Sequence, residues 1–200
     1  NSEAITQKLS TIISKTWDTL EWIDGIPQKL ETLKYRHIHS IDLYHHIHDI
    51  ILSQWWERST EMIDSIGEDE CGSYVQIGNI LLRAKTIFDS RTPNYKETDA
   101  RVPHIFQSFV GWMIETESSV FKADTFRFMD FNISQWNSTQ FAYVLPYSPT
   151  RALIEITRFG KEIITTEEAE TILEWYIKKY DTGYKKIDTE IGCITMSQRE

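Results

Sequence analysis

Cysteine is scarce in this chain. Cys71 and Cys193 are the only two, far apart and without metal-type spacing, which argues against a disulfide framework and points to a reduced, cytoplasmic setting. Positive charge is also short: 21 Lys and Arg stand against 30 Asp and Glu, for a net charge of −9. A chain so acidic, with a pI near 5.2, is not built for general nucleic-acid binding, where clustered Lys and Arg must meet phosphates. No apolar run approaches the length of a transmembrane helix, and nothing at the start reads as a signal peptide. Internal repeats, low-complexity tracts and an H-E-x-x-H metal signature are absent as well.

What remains is an ordinary globular composition, 40 % hydrophobic and 26 % charged. Two hundred residues suffice for one domain with a proper core or for a piece of a larger one, and a start at Asn1 rather than Met suggests a fragment. Seven Trp fit either a large core or a site for an extended apolar ligand.

Along the chain, Ile5–Ile13 is weakly amphipathic, Trp17–Trp22 reads as core aromatics, and Asp24-Gly25 with Pro27 marks a turn. A strand at Tyr35 leads to Ser40, a plausible N-cap for a helix running to Leu52 with Ile41, Tyr44, Ile47 and Ile51 at helical spacing. Five of the six His lie between positions 37 and 48. They are read as solvated or partly buried side chains rather than metal ligands, since the spacing matches no known metal signature. Trp55–Ile66, Ser73–Ile77 and Asn79–Ala84 read as strands, with Gly67–Gly72 as a hairpin loop and Asp89-Ser90-Arg91 as a turn. Residues 92–102 read as an exposed polar linker. From Val102 the chain becomes apolar and aromatic, and Gly111 there permits close approach of another backbone or a ligand. Alternation over Phe126–Ile133 puts Phe126, Phe128 and Asp130 on one face. Asp130 is then an edge-strand charge or a second active-site carboxylate. Thr165-Thr166-Glu167-Glu168 opens a helix with a capping box, Asp181-Thr182-Gly183 ends it, and Tyr184–Glu190 reads as the last strand.

The most informative stretch is Phe141–Thr157. Phe141, Tyr143 and Leu145 alternate as a strand. Pro146, Ser148 and Pro149 break it, and Thr150–Thr157 resumes as a second strand with Leu153, Glu155 and Thr157 on one face. By pattern alone Glu155 reads as a solvated residue on an exposed sheet face, because buried carboxylates are uncommon. If it is buried, its neutral form is favoured and it becomes a proton donor at neutral pH.

The run Tyr143-Val144-Leu145-Pro146-Tyr147-Ser148-Pro149-Thr150-Arg151-Ala152-Leu153-Ile154-Glu155 resembles the signature of the lycopene cyclase family of flavoproteins. Other elements follow in the family's order: Phe88-Asp89-Ser90-Arg91, Gln107-x-Phe109-x-Gly111-Trp112-x-x-Glu115, Met129-Asp130-Phe131, and a final Glu190-x-Gly192-x-Ile194-Thr195-Met196 in which Thr195 replaces the usual Pro. The resemblance covers about Trp17 to Met196. It implies an α+β flavoprotein fragment: a mixed, largely antiparallel sheet of a substrate domain with flanking helices, within a two-domain FAD-binding fold of the glutathione-reductase or hydroxylase type. Residues 1–100 are expected as the remainder of the FAD-binding domain with inserted strands, and 101–200 as the substrate-binding sheet with helix 165–180. No G-x-G-x-x-G occurs, so the family's N-terminal dinucleotide unit is missing, and the fragment alone is expected to be inactive.

The function implied is proton-initiated cyclisation of the acyclic end of lycopene to β-ionone rings, with reduced FAD, NADPH as electron donor and no net redox change. Glu155 is the expected acid. The resemblance places Asp89, Ser90 and Arg91 near FAD, and Trp112, Tyr143 and Asp130 along the substrate path. Plant members carry Glu-Glu in the hairpin strand, where this chain has Glu155-Ile156. No metal is implied. Peripheral membrane contact from the cytoplasm is expected because lycopene dissolves in bilayers. The alternatives are another FAD-dependent enzyme of the hydroxylase-like superfamily and a non-catalytic relative that binds an apolar ligand.

Overall fold

The Pro-Tyr-Ser-Pro-Thr segment folds back on itself at the tip of a long hairpin, and that hairpin lies at the centre of a seven-stranded sheet. The computed structural model describes residues 2–22, 25–54, 56–91 and 104–197. Among these residues the helices are α1 (Ser2–Leu9), α2 (Ser40–Ser53) and α3 (Thr166–Ile177). The strands are β1 (Lys15–Trp17), β2 (Thr19–Glu21), β3 (Pro27–Lys29), β4 (Tyr35–His37), β5 (Ser65–Asp69), β6 (Gly72–Ile77), β7 (Ile80–Ala84), β8 (His104–Thr116), β9 (Thr125–Asp130), β10 (Thr139–Ser148), β11 (Arg151–Gly160) and β12 (Tyr184–Ser197). Asp24, Trp55, the expected linker at 92–102 and Pro103 lie outside the described residues.

The chain divides into two compact units, Asn1–His39 with Thr98–Glu200, and Ser40–Glu97. The first holds a seven-stranded sheet in the order β12-β8-β11-β10-β9-β2-β3 and a ribbon of β1 with β4. All neighbours in that sheet are antiparallel except β2 with β9. The second unit holds α2 and the three-stranded sheet β5-β6-β7. A mixed α+β architecture with a largely antiparallel sheet is therefore observed.

Period-2 alternation sorts the central strands onto two faces. Val110, Trp112 and Ile114 of β8, Ala142 and Val144 of β10, and Ala152, Ile154 and Ile156 of β11 bury one face against Ala169, Ile172, Leu173, Tyr176 and Ile177 of α3. That helix starts where the sequence says it must. The Thr165 side chain accepts from the Glu168 N–H at 3.2 Å, while the Glu168 carboxylate accepts from the Thr165 N–H at 3.0 Å. The opposite face is aromatic. Trp17, Leu20, Phe126, Leu145 and Leu153 form a second cluster there, with Met113, Phe128 and Tyr147 packed against it.

Several expectations are corrected. Pro146 does not end its strand: β10 continues to Ser148, with a register shift between Pro146 and Ser148. Pairing with β9 reaches only Val144, so the missing N–H of Pro146 breaks no ladder on that side. The strand expected over Trp55–Ile66 begins only at Ser65, and the loop expected at Gly67–Gly72 is mostly strand. The last strand continues past Glu190 to Ser197, because it pairs along the whole of β8. On β9, Ala142 faces Asp130 while Val144 faces Arg127, two residues against three. Met129 absorbs the extra residue at φ 53°, and the bulge turns Asp130 away from the face of Phe126 and Phe128.

The two buried tryptophans differ in one respect that stability can read. The Trp17 indole N–H donates to the Pro146 carbonyl at 2.6 Å, whereas the Trp112 indole nitrogen is buried with no hydrogen-bond partner. Trp17→Phe is therefore expected to cost about 1 kcal/mol more than Trp112→Phe. Chemical denaturation of the two variants checks this, and equal losses would contradict it.

Candidate active site

Glu155 sits in the middle of β11, on the aromatic face. Its strand register sets Tyr143 opposite on β10 and Gly111 opposite on β8, and Gly111 in turn faces Glu190 on β12. The alternation that suggested a solvated side chain does not describe what covers this face. The β1–β4 ribbon brings Tyr35 onto it, stacked on Phe126 at 4.6 Å between ring centroids. Phe128 approaches Tyr143 at 5.2 Å, and Phe141 approaches Tyr143 at 5.0 Å. Glu155 is consequently only partly exposed. The solvated reading is corrected to a carboxyl among aromatic rings.

The electrostatics follow from that placement. Burial is the main cause that pushes the Glu155 carboxyl up, to about 8, and the hydrogen-bonding carboxyl and charge of Glu190 push the same way. The Thr157 hydroxyl donates to Glu155 Oε1 at 2.6 Å, which works in the opposite direction. The phenol of Tyr143 is also raised, to about 12, by burial and then by Tyr35 and Glu155. A carboxyl that keeps its proton at neutral pH, on a sheet face lined by aromatic side chains, can donate that proton and can flank a developing cation.

Of the expected site residues in the same compact unit as Glu155, Tyr143 joins it and Trp112 and Asp130 do not. Trp112 lies on the opposite, helix-covered face, 4 % exposed, one residue out of phase with Gly111. Lys186 Nζ stands 4.4 Å from the centre of its ring. Asp130 also lies away from Glu155. It is 2 % exposed, so it is neither an edge-strand charge nor a neighbour of the acid. The Tyr176 hydroxyl donates to it at 2.7 Å, the Asn132 N–H at 3.0 Å and Arg127 Nη1 at 3.2 Å.

Asp89, Ser90 and Arg91 belong to the other compact unit. There the Asp89 carboxylate accepts from Arg91 Nε and Nη2, each at 2.9 Å, and from the Arg91 backbone N–H at 3.1 Å. The histidines divide likewise, His37 and His39 with the ribbon and His45, His46 and His48 on α2. No group of three or more His, Cys, Asp or Glu able to hold a metal occurs among the described residues.

Sequence reasoning passed over Glu190 and Tyr35 as members of the site. Glu190 carried one signal, its place in the Glu-x-Gly run. That it reaches the acid depends on the β8–β12 register, which no local pattern reveals.

The fold is that of flavin-dependent enzymes of the hydroxylase type. The flavin-dependent brominase Bmp2 is similar with a TM-score of 0.61 at 9 % identity, over 98 % of this chain and 55 % of that one. Halogenase PltM is similar with a TM-score of 0.60 at 14 % identity, over 95 % of this chain and 45 % of that one. A geranylgeranyl bacteriochlorophyll reductase-like protein of Thermoplasma acidophilum gives a TM-score of 0.59 at 12 % identity, over 92 % and 51 % of the two chains. Within that fold, the chain belongs to the lycopene cyclase protein family, which it matches over residues 1–199. It is 31 % identical over 106 residues to the lycopene beta-cyclase of Paracoccus sp. (strain N81106 / MBIC 01143), an overlap of 52 % of this chain and 25 % of that protein. The matched region thus spans about a quarter of the relative's length.

Proposed function

We propose that this chain carries the acid site of a lycopene beta-cyclase, with Glu155 as the proton donor. The observation that supports the reading most is the carboxyl of Glu155 held up to about 8 by burial on a face lined by Tyr143, Phe141, Phe128 and Tyr35. The proton leaves Glu155 for the terminal double bond of the linear carotenoid, whose π pair forms the new C–H bond. The cation so formed is captured by an internal double bond, which closes the six-membered ring. Loss of a ring proton then restores a double bond, so no electrons are gained or lost. Aromatic ring faces stabilise the cation while it lasts. Family membership and the Paracoccus relative support a carotenoid substrate.

Family membership and the flavin-dependent neighbours support FAD as the cofactor, and NADPH is our proposed electron source. In the turn at 89–91, which the family resemblance sets near the cofactor, Asp89 and Arg91 pair with one another. The proton chemistry proposed for Glu155 uses none of these three residues. The substrate's solubility in bilayers supports peripheral membrane contact, and the two free cysteines support a reducing, cytoplasmic setting. Among the described residues no helix is long and apolar enough to cross a membrane.

The test uses the full-length protein in cells that accumulate lycopene, with Glu155 intact or replaced in Glu155→Gln, and the pigments separated. Ring-bearing carotene with Glu155 and only lycopene with Gln, at equal protein and flavin content, is the expected result. Unchanged lycopene in both, with flavin bound, would sink the cyclase reading in favour of another flavin enzyme or an apolar-ligand binder.

A further inference from the structure

Glu155 has a neighbour that the proposed reaction does not yet use. Glu190 lies on β12, the outer strand of the sheet, one strand beyond Gly111. The missing side chain of Gly111 is what lets the two acids meet. A Cβ there would stand 2.9 Å from both Cγ and Oε1 of Glu190, closer than atoms in contact allow, and a tight 3.1 Å from Cδ1 of Leu153. Glu190 therefore lies folded over the bare backbone of Gly111, within hydrogen-bonding reach of Glu155. The two ends of this pair differ. Glu155 is partly buried, whereas Glu190 is exposed. A cleft of about 100 Å³ opens beside Glu190, lined also by His37, His39, Asp188 and Tyr147.

We propose that Glu190 keeps the acid of the site protonated: its exposed carboxyl, folded over Gly111 onto Glu155, shares a single proton with Glu155 and so holds that proton in place between transfers. The inference rests on the reading of Glu155 as the acid. Two carboxyl groups in contact favour one proton between them, because two negative charges that close repel. The step balances without an oxidant or reductant. The O–H bond of Glu155 breaks as the substrate C–H bond forms, and the proton released from the ring returns to the pair, which ends the cycle as it began. Glu190 acts through Glu155 and is a positioning residue.

The charged and titratable groups facing the pair are Tyr143 on β10, Tyr35 and His37 on β4, His39 beyond it, Asp188 on β12, and Tyr147, whose phenol is raised to about 12 by burial, Glu190 and Tyr35 and lowered in part by Arg151. The phenols stay neutral through the range in which the acid titrates. Burial and then His39 lower the pKa of His37, so His37 titrates on the acid side of that range.

The experiment measures ring formation by the purified full-length protein, at matched flavin content, from about pH 5.5 to 9. The wild type should lose activity on the alkaline side as Glu155 gives up its proton. In Glu190→Gln that limb should move by about one pH unit or more toward acid, so that activity near pH 8 falls about tenfold while activity near pH 6 stays within about threefold. Gly111→Ala should shift the limb the same way, since it displaces Glu190 without removing a charge, and Glu190→Asp should restore part of it. Infrared spectra supply a readout independent of turnover: the carboxylic-acid band that Glu155→Gln abolishes should persist to higher pH in the wild type than in Glu190→Gln. A uniform loss of rate with an unmoved limb and an unmoved band would overturn the pair. Rings formed by Glu155→Gln would instead overturn the underlying reading of the acid.

Discussion

Asp130→Ala is expected to destabilise the protein by about 2–3 kcal/mol, less than the ~3–5 kcal/mol of a fully buried ion pair, because its cationic partners Arg127 and Lys179 are 30 % and 34 % exposed. Asp130 is 2 % exposed, and burial by itself would raise its carboxyl. The Tyr176 hydroxyl, the Asn132 N–H and the charges of Lys179 and Arg127 outweigh burial and hold it below the ordinary carboxylate range. These partners come from the sheet and from the end of α3, so Asp130 fastens helix to sheet. Its loss strands Lys179, which stands 3.6 Å away and whose ammonium is already lowered to about 8, chiefly by burial and then by Arg127. It also leaves the buried Tyr176 hydroxyl without the acceptor it now has. Tyr176→Phe removes only one hydrogen bond and should cost about 1–1.5 kcal/mol. Denaturant titration of both variants is the check. A loss below about 1 kcal/mol for Asp130→Ala would show that the cluster is solvated and contributes little.

This cluster also marks where sequence reading stops. Asp130 was visible as a carboxylate in a short aromatic strand, and strict alternation put it with Phe126 and Phe128. One residue at positive φ, Met129, moved it to the other side of the sheet. The features that were legible are those whose chemistry is local. The capping box of Thr165 and Glu168, the hairpin around Pro149 and the helix start at Ser40 each depend on residues a few positions apart, and each stands where expected. Glu155 was legible as a candidate through its strand and its flanking motif, but its burial was not. The rings that cover it come from residues as distant in sequence as Tyr35 and Phe128. Trp112 misled for the opposite reason, since the motif that carries it says nothing about which face a side chain occupies. Its neighbour Gly111 is the member of that motif that meets Glu155, through a side chain it does not have.

The stability of the full-length protein should fall as pH rises from about 4.5 to about 8, and Glu155→Gln should flatten that slope. The sign follows from the direction of the shift. A carboxyl with an ordinary value of 4.5 that titrates near 8 when folded binds its proton more tightly in the folded state. Its contribution is fully present below about 4.5 and disappears as pH passes through about 8. At about 1.4 kcal/mol for each pH unit of displacement, the limit is about 5 kcal/mol, and water reaching the partly exposed side chain reduces the expected fall to about 2–3 kcal/mol. Other groups titrate over the same span, so the decisive quantity is the difference between wild type and Glu155→Gln, measured by denaturation at closely spaced pH values. Thr157→Val should steepen the slope, because it removes the hydroxyl that donates to Glu155 Oε1 and favours the charged form. Parallel curves for wild type and Glu155→Gln would mean that the carboxyl titrates alike folded and unfolded. In that event it would be charged at neutral pH, and its part in catalysis would pass from donating a proton to stabilising a cation.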